Sequence, residues 1–217
     1  MPSQISRAET AANYDRLSRW YDLLSAGSEG KYIALGLEKL DVKAGETVLE
    51  VGFGTGRAII DLARAVGEKG RVVGVELSQG MTKVARGRVT ESGLGSRVSL
   101  LLADARALPF AAESLDAVFM SFTLELFNPS DMASVLDECR RCLRPGGRLG
   151  MVTMAKVARP TIIQRAYEWA HEAFPRYIDC RPIDVRQAVQ GAGLTVGATF
   201  RGSMWGLAVE ILLASKT

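Results

Sequence analysis

Three glycines follow one another closely in the segment Glu50-Val51-Gly52-Phe53-Gly54-Thr55-Gly56. They come directly after an apolar run typical of a buried strand and directly before a segment of helical periodicity. Glycines at such a turn adopt dihedral angles that other residues avoid. Because they lack a Cβ atom, backbone N–H groups can also approach a nucleotide-like ligand closely. The segment therefore predicts a cofactor-binding turn.

The spacing of these glycines argues against a dinucleotide. The dinucleotide fingerprint has its third glycine five residues after the first. Here Gly56 lies four residues after Gly52, and Arg57 occupies the fingerprint position. Glu50 precedes the turn, and a carboxylate at this point would repel a pyrophosphate and attract a cation. The segment favours a cationic ligand over NAD.

Two further acidic residues end the next two predicted strands. Glu76 lies 20 residues after Gly56, a separation at which an acid accepts hydrogen bonds from ribose hydroxyls. Asp104 follows the third strand, where a carboxylate can accept an adenine amino proton in the crevice that open sheets use for ligands. A lone Asp after a strand is usually a helix cap. Together, at the ends of three successive strands, the features predict a nucleoside-binding site.

Strands and helices that would position these residues alternate along the chain. Near-continuous apolar runs suited to strands covered on both faces lie at 47–51, 72–76, 98–103, 115–121 and 148–154. Helical segments are predicted at 57–66, stopping at Gly67, after a Ser78 cap to near Ser92-Gly93, and after a Ser130 cap. This alternation predicts a doubly wound α/β sheet with right-handed crossovers.

The end of the chain departs from this alternation. Residues 194–200 and 207–215 both have the pattern of strands, and about six residues separate them, too few for a crossover helix. We therefore expect the parallel sheet to finish in an antiparallel hairpin.

The composition is that of one globular domain. The 217 residues are 47% hydrophobic and 24% charged. No apolar run reaches the roughly 18 residues of a transmembrane helix, and residues 1–10 lack the apolar stretch of a signal peptide. Cys139, Cys142 and Cys180 are too few for a disulfide framework. The net charge of +3 is far below that of a dedicated nucleic-acid-binding protein. These features predict a cytoplasmic protein with no nucleic-acid partner.

The whole constellation resembles the class I S-adenosylmethionine-dependent methyltransferases. Residues 50–56 resemble their first motif, Glu76 their ribose acid, Asp104-Ala105 their adenine contact, and 143–149 the turn into their fifth strand. Within that superfamily, residues 14–22 and 108–110 are most similar to the ubiquinone/menaquinone-biosynthesis (methyltransferase type 11) group, which also contains phospholipid N-methyltransferases. The resemblance covers nearly the whole chain.

The resemblance implies an α/β fold with a doubly wound, mostly parallel seven-stranded sheet, an antiparallel last strand, and a helical N-terminal and insertion lid. It implies a single domain over residues 1–217. In that domain 1–40 form the N-terminal lid, 41–154 the cofactor-binding core, and 155–186 a helical acceptor-side insertion. Residues 187–217 form the end of the C-terminal helix and the antiparallel hairpin.

The resemblance also implies S-adenosylmethionine as the cofactor and S-adenosylhomocysteine as the product. Glu50 would help to hold the amino end, Met81 would pack on adenine, and Tyr21 would close over the cofactor from the N-terminal helix. The implied cofactor contacts are Tyr21, Glu50, Gly52, Gly54, Thr55, Gly56, Glu76, Met81, Asp104, Ala105 and Ser121.

Few catalytic residues are expected, because methyl transfer from a sulfonium depends mainly on alignment and only some acceptors need a base. The candidate catalytic residues are Glu125 after the fourth strand, His171 and Tyr177. Asp179 is a further candidate acceptor contact beside Tyr177. The alternatives are an ordinary loop or capping carboxylate for Glu125, a surface histidine for His171, and a packed connection for the other two.

No metal is predicted. Cys139 and Cys142 form a C-x-x-C pair, but we expect it in the middle of a helix, and no second pair or nearby histidine completes a zinc site. The acidic cluster of magnesium-dependent catechol methyltransferases is also not evident in the sequence.

The expected acceptor is small and hydrophobic, with a quinol-type ring carbon or oxygen favoured, and the protein is expected to be a monomer or homodimer. One alternative is a phospholipid amine N-methyltransferase at the membrane surface, and another is a non-catalytic S-adenosylmethionine-binding partner protein. A separate expectation is transient contact with the inner face of the membrane. It would use the helix around Trp20 and the basic residues Arg16, Arg19, Arg159, Arg165, Arg176 and Arg181. The alternative for these residues is a helix packed over the cofactor, with ordinary surface arginines.

Overall fold

A computed structural model describes residues 28–157, 161–162, 164–165, 167, 169 and 180–217. Strands of one sheet run through these residues in the order β3-β2-β1-β4-β5-β7-β6. They are β1 (Thr47–Val51), β2 (Arg71–Glu76), β3 (Val98–Leu102), β4 (Leu115–Ser121), β5 (Leu143–Met154), β6 (Thr195–Met204) and β7 (Leu207–Ser215). The helices are α1 (Ser28–Leu40), α2 (Arg57–Ala65), α3 (Gln79–Glu91), α4 (Pro129–Cys142) and α5 (Val185–Gly191), with a 3-10 turn at Leu124–Leu126.

The strand directions confirm the predicted sheet. Strands β1 to β5 pair in parallel, β7 runs antiparallel to β5, and β6 runs antiparallel to β7. The order reverses between β1 and β4, which are direct neighbours with Val51 opposite Met120. Open α/β sheets bind ligands in the crevice at such a reversal, outside the carboxyl ends of the strands. The glycine-rich turn after β1 therefore opens at this crevice.

Helices cover both faces of the sheet. One hydrophobic core includes residues of α1, α2 and α3, and the other includes residues of α4 and α5. The central strands β1 and β4 are buried almost throughout. The expectation that every parallel strand is covered on both faces is wrong for β3. That strand forms an edge of the sheet, and its residue Leu102 is exposed.

Most of the predicted helix ends are confirmed. The side chain of Ser78 accepts a hydrogen bond from the backbone N–H of Met81 at the start of α3. The chain leaves α2 and α3 through Gly67 and Gly93, both with positive φ angles of 65° and 69°. Glycine is favoured here because it adopts the left-handed conformation without a Cβ penalty.

The prediction of a Ser130 cap is wrong. Asn128 is the residue before α4, and Pro129 is its first residue. Proline suits this position because its fixed φ is already helical and its missing N–H would have no partner within the helix. The C-x-x-C pair is also placed differently from the prediction. Cys139 and Cys142 lie in the last turn of α4 rather than mid-helix, and both are buried.

Strand β5 begins earlier than the predicted residue 148. Leu143 already pairs with Leu115 of β4, the register then shifts, and regular pairing resumes at Arg148 opposite Ala117. The intervening residue Gly146 has a φ of 74°, so the chain can loop out between two paired stretches. The sequence pattern marked only the second, apolar stretch.

Helix α1 packs closely on the centre of the sheet. A Cβ atom on Gly36 would lie 2.6 Å from Val152 and 3.2 Å from Phe119, so glycine permits the close approach. Within the described part of the chain, no helix combines the length and apolar character needed to cross a membrane.

Candidate cofactor site

The glycine-rich turn has the backbone geometry that its sequence predicts. Gly52, Gly54 and Gly56 all have positive φ angles, of 70°, 50° and 80°, a region in which a side chain is strained. A Cβ atom on Gly52 would lie 2.3 Å from Cγ2 of Thr123, and one on Gly56 would lie 2.9 Å from Cβ of Ala85. Gly54 differs, since nothing lies within 4 Å of its Cβ position. The turn is therefore packed at its two ends and open at Gly54.

Glu76 links the ends of β1 and β2 across this turn. Its Oε2 atom accepts a hydrogen bond of 3.0 Å from the N–H of Gly54. Its Oε1 atom accepts bonds of 2.8 and 2.9 Å from the N–H groups of Leu77 and Ser78. Three backbone donors thus fix the carboxylate at the end of β2, the place predicted for a ribose-binding acid.

Glu50 is a buried carboxylate at the end of β1, with only 2% of its surface exposed. Burial, and then the negative charges of Glu76 and Asp61, raise the pKa of this carboxyl well above its usual value of 4.5. Its Oε2 atom has no hydrogen-bond partner among the residues that the structure describes. A buried acceptor without a partner is costly, so this atom favours a cationic ligand that donates a hydrogen bond.

Asp104 is held by an arginine that the sequence argument missed. Arg106 donates to both carboxylate oxygens of Asp104, with Nη2 at 2.6 Å from Oδ2 and Nε at 3.0 Å from Oδ1. Nη1 of Arg106 lies 3.1 Å from Oδ1 of Asp131 in α4. Arg106 therefore orients the acid predicted to bind adenine, and the neighbouring Ala105 is buried.

The other predicted contacts lie around the same crevice. Met81 is buried in the first turn of α3, and Ser121 is half-buried at the end of β4. The Thr55 hydroxyl accepts a hydrogen bond of 3.0 Å from Nη1 of Arg88. This arginine also donates to the Thr55 carbonyl at 2.7 Å, tying the glycine-rich turn to α3.

Glu125 lies just beyond the end of β4, where its carboxylate accepts a hydrogen bond from the backbone of β5. Its Oε1 atom accepts a hydrogen bond of 3.0 Å from the N–H of Met154 in β5, and its side chain is buried. The last β4 contact on this edge is the bond from the Phe122 N–H to the Val152 carbonyl. The carboxylate therefore satisfies a backbone donor that β4 no longer reaches.

Several predicted residues lie outside the described residues, namely Tyr21, His171, Tyr177 and Asp179, together with Trp20, Arg16, Arg19, Arg159 and Arg176 of the predicted membrane contact. Arg165 is exposed. Arg181 is partly buried, which lowers its pKa, and it donates a hydrogen bond of 2.8 Å to the carbonyl of Phe127. Among the residues whose positions are given, no group of three or more His, Cys, Asp or Glu side chains could hold a metal ion.

Arg106, Arg88 and Thr123 are the structural partners that the sequence analysis did not identify. Arg106 follows Asp104 by two residues, so a local ion pair could have been read from this spacing. Arg88 and Thr123 contact residues 33 and 71 positions away. Nothing in the local pattern indicates these contacts.

The sequence of this chain is similar to those of known methyltransferases. A family model described as a methyltransferase domain matches residues 48–147. A ubiquinone/menaquinone biosynthesis C-methyltransferase from Hahella chejuensis is 35% identical over 166 residues. The match covers 76% of this chain and 64% of that protein. The chain thus spans slightly less than two thirds of the length of this curated relative.

Solved structures share the fold. An S-adenosylmethionine-dependent methyltransferase from Aquifex aeolicus has a TM-score of 0.64 and 25% identity, over 85% of this chain and 89% of that one. The [4+2]-cyclase SpnF has a TM-score of 0.76 at 19% identity, over 95% of each chain. At that identity the likeness concerns the fold alone, and one fold can carry different chemistry.

Proposed function

We propose that the chain is a class I S-adenosylmethionine-dependent methyltransferase of the ubiquinone/menaquinone-biosynthesis group and that it methylates a small, hydrophobic acceptor. When bound, S-adenosylmethionine supplies a methyl group on a positively charged sulfur. After transfer of that methyl group, the rest of the cofactor leaves as S-adenosylhomocysteine. The chain's own residues would hold this cofactor and align the acceptor, since alignment contributes most of the catalysis in such a displacement.

The observation that carries the proposal is the buried carboxylate of Glu50, which lies two residues before the first glycine of the turn. Its Oε2 atom lacks a partner among the described residues, and its pKa is raised by burial. The ammonium group of a methionine moiety would supply both a donor and a compensating positive charge. A pyrophosphate would add negative charge at the same place, so NAD fits this site poorly.

The remaining contacts are proposed from the same crevice. Glu76 would accept the ribose hydroxyls beside the Gly54 N–H that it already binds. Asp104, oriented by Arg106, would accept the adenine amino group. Thr55, Gly56, Met81, Ala105 and Ser121 would line the cofactor with Gly52.

A quinol-type ring carbon or oxygen is the acceptor that we propose. The relative from Hahella chejuensis is named as a C-methyltransferase of quinone biosynthesis, which supports this class over a phospholipid amine. A phenol must lose a proton before its ring carbon or oxygen attacks a methyl group. Glu125, His171 and Tyr177 are the residues that we propose to hold or deprotonate the acceptor. Because such acceptors are lipophilic, we also propose that the protein works in peripheral contact with a membrane.

Calorimetric titration with S-adenosylmethionine, S-adenosylhomocysteine and NAD tests the cofactor. We expect both adenosyl ligands to bind and NAD not to bind. Glu76→Ala should weaken the adenosyl ligands by about 1–3 kcal/mol, through loss of hydrogen bonds to a charged group. The matched control Glu68→Ala changes an exposed carboxylate in the turn after α2 and should leave binding unchanged. Binding of NAD in place of the adenosyl ligands would refute the proposal.

Turnover assays then distinguish the acceptor classes. The purified protein is incubated with S-adenosylmethionine and either a reduced 1,4-naphthoquinone or phosphatidylethanolamine vesicles, and products are identified by mass spectrometry. We expect the naphthoquinol to gain one methyl group. Methylated lipid would instead support the phospholipid alternative. Tight cofactor binding without turnover of any acceptor would support a non-catalytic binding partner.

A further inference from the structure

The hairpin between β6 and β7 carries an exposed tryptophan at a position that disfavours it. Met204 pairs with Leu207, so Trp205 and Gly206 form a two-residue turn, and both have positive φ angles, of 52° and 81°. These angles are those of a type I′ turn, which favours Asn, Asp or Gly at its first central position. Trp205 is 63% exposed, so burial of its ring does not offset the strain within the described structure.

The tip of this hairpin lies at the same edge of the sheet as the cofactor crevice. Strand β7 starts where β5 ends, since Met154 pairs with Val209 and the N–H of Ala155 donates to the carbonyl of Ala208. Because β5 and β4 are parallel, the carboxyl end of β4 lies at this edge too. The turn therefore projects from the side of the molecule at which a ligand would enter.

Helix α1 holds the hairpin firmly behind its tip. The Tyr32 hydroxyl donates a hydrogen bond of 2.7 Å to the carbonyl of Ser203. The Tyr32 ring lies so close to Gly202 that a Cβ atom there would be 2.5 Å from it. The side chains of Met204 and Leu207 are buried on either side of the turn. The exposed indole thus sits on a supported element rather than on a loose loop.

Three cationic side chains lie on elements that flank the tip. Nζ of Lys31 lies 5.0 Å from the centre of the Tyr32 ring. Lys156 directly follows Ala155, whose N–H is hydrogen-bonded to Ala208. Arg201 is largely exposed on β6. Lys31 and Lys156 are exposed as well. The acidic Glu210 nearby is buried and accepts a hydrogen bond from Arg201.

Further exposed apolar side chains belong to the segment that leaves this edge after β5. The Tyr167 hydroxyl contacts Sδ of Met154 at 3.7 Å, which places Tyr167 beside the end of β5. Ile162 and Trp169 of the segment are exposed. Large apolar groups and cations on separate elements are typical of surfaces that contact a lipid interface.

We propose that the β6–β7 tip inserts Trp205 into the interface of an anionic lipid bilayer and brings the cofactor edge of the sheet against the membrane. A tryptophan ring suits the headgroup region because its body is apolar and its N–H is polar, while lysines nearby are attracted to anionic lipids. A protein partner would need a continuous complementary face of about 800 Å², whereas a bilayer accepts separate projecting groups. The inference deepens the proposed function and rests on it only for the view that the acceptor is dissolved in lipid.

Substitution Trp205→Asn separates a membrane role from a structural one. Asn-Gly is a preferred pair for a type I′ turn, so we expect the thermal midpoint to stay equal or rise. Co-sedimentation with vesicles of phosphatidylcholine and phosphatidylglycerol should weaken about tenfold or more, the scale expected for one large aromatic side chain. Phe200→Ser is the matched control, because it removes a partly exposed aromatic ring on β6 away from the tip.

Charge reversal tests the cationic part of the surface. Lys156→Glu should weaken vesicle binding and reduce its dependence on salt. Lys69→Glu, an exposed lysine before β2 at the opposite edge of the sheet, should leave binding unchanged. Wild-type protein that does not sediment with anionic vesicles, or a Trp205→Asn variant that sediments like wild type, would overturn the inference. A lower thermal midpoint of Trp205→Asn would show a packing role and overturn it too. Calorimetric titration of the same samples with S-adenosylmethionine tests the proposed function separately, since lipid binding does not require the cofactor.

Discussion

Replacing Glu50 with glutamine isolates the ionisation of the carboxyl group that is buried at the cofactor site. The pKa of Glu50 is raised in the folded protein by burial and by the negative charges of Glu76 and Asp61. Below the usual pKa of 4.5 the carboxyl is protonated in both the folded and the unfolded chain. Above it, the unfolded chain loses the proton first, so the folded protein binds more protons and its stability falls as pH rises. Glutamine resembles the protonated form and removes this dependence.

The size of the effect follows from the same linkage. Each pH unit over which only the unfolded chain has lost its proton lowers the free energy of unfolding by about 1.4 kcal/mol. Without ligand, Glu50→Gln should therefore match wild type near pH 4 and become progressively more stable than wild type toward neutral pH. Cofactor binding should change in the opposite direction. Loss of a charge-assisted hydrogen bond should weaken S-adenosylmethionine by about 1.5–3 kcal/mol, or roughly 10- to 150-fold in Kd.

Urea denaturation from pH 4 to 8 measures the first effect, with Glu68→Gln as the control for an exposed carboxylate. Calorimetry in buffers of different ionisation enthalpy measures the second. If Glu50 ionises when a cationic ligand binds, wild type releases a proton and its observed heat depends on the buffer, whereas the variant shows no such dependence. A stability difference between variant and wild type that stays constant over this pH range would refute the reasoning.

Substitutions at three further positions test how the crevice is built. Gly52→Ala should lower the free energy of unfolding in urea by about 2–4 kcal/mol, because the added Cβ would be strained at a φ of 70° and would lie 2.3 Å from Thr123. Unchanged stability would refute the packed turn. Ser78→Ala should cost about 1 kcal/mol through loss of the cap on α3, visible as a lower thermal midpoint. Glu125→Ala should cost about 2–3 kcal/mol by leaving the buried Met154 N–H without its acceptor, while Glu125→Gln should retain most of the stability. A Glu125→Gln variant that folds normally but loses turnover would identify a role in proton transfer.

The strands and the glycine-rich turn were predictable because local sequence determines them. A buried strand needs a continuous apolar run, and a turn with three positive φ angles needs glycine wherever the chain cannot carry a Cβ. The antiparallel hairpin was predictable from the shortness of its connection. The cap of α4 was not, because Asn128, Pro129 and Ser130 are all acceptable near a helix start. Only the packed structure decides between them.

Contacts between distant segments were beyond the sequence pattern. Thr123 lies against Gly52, 71 residues away in the chain, only because β4 is the neighbour of β1. The link from Arg106 to Asp131 likewise needs α4 to fold back beside the end of β3. The exposure of Leu102 depends on β3 being an edge strand. Sequence periodicity shows that a strand is apolar without showing where in the sheet it lies.

These contacts imply an order among the three acids of the crevice. The carboxylates of Glu76 and Asp104 already accept hydrogen bonds within the protein, from the Gly54 N–H and from Arg106. A nucleoside would share these acceptors with the protein, so each contact adds less binding free energy. The Oε2 atom of Glu50 is buried without a hydrogen-bond partner in the described structure, and a donor at that atom removes an existing cost. A cationic group therefore gains more at Glu50 than a neutral hydroxyl or amino group gains at the other two. Selectivity for S-adenosylmethionine over an uncharged adenosine should accordingly depend on Glu50 more than on Glu76 or Asp104.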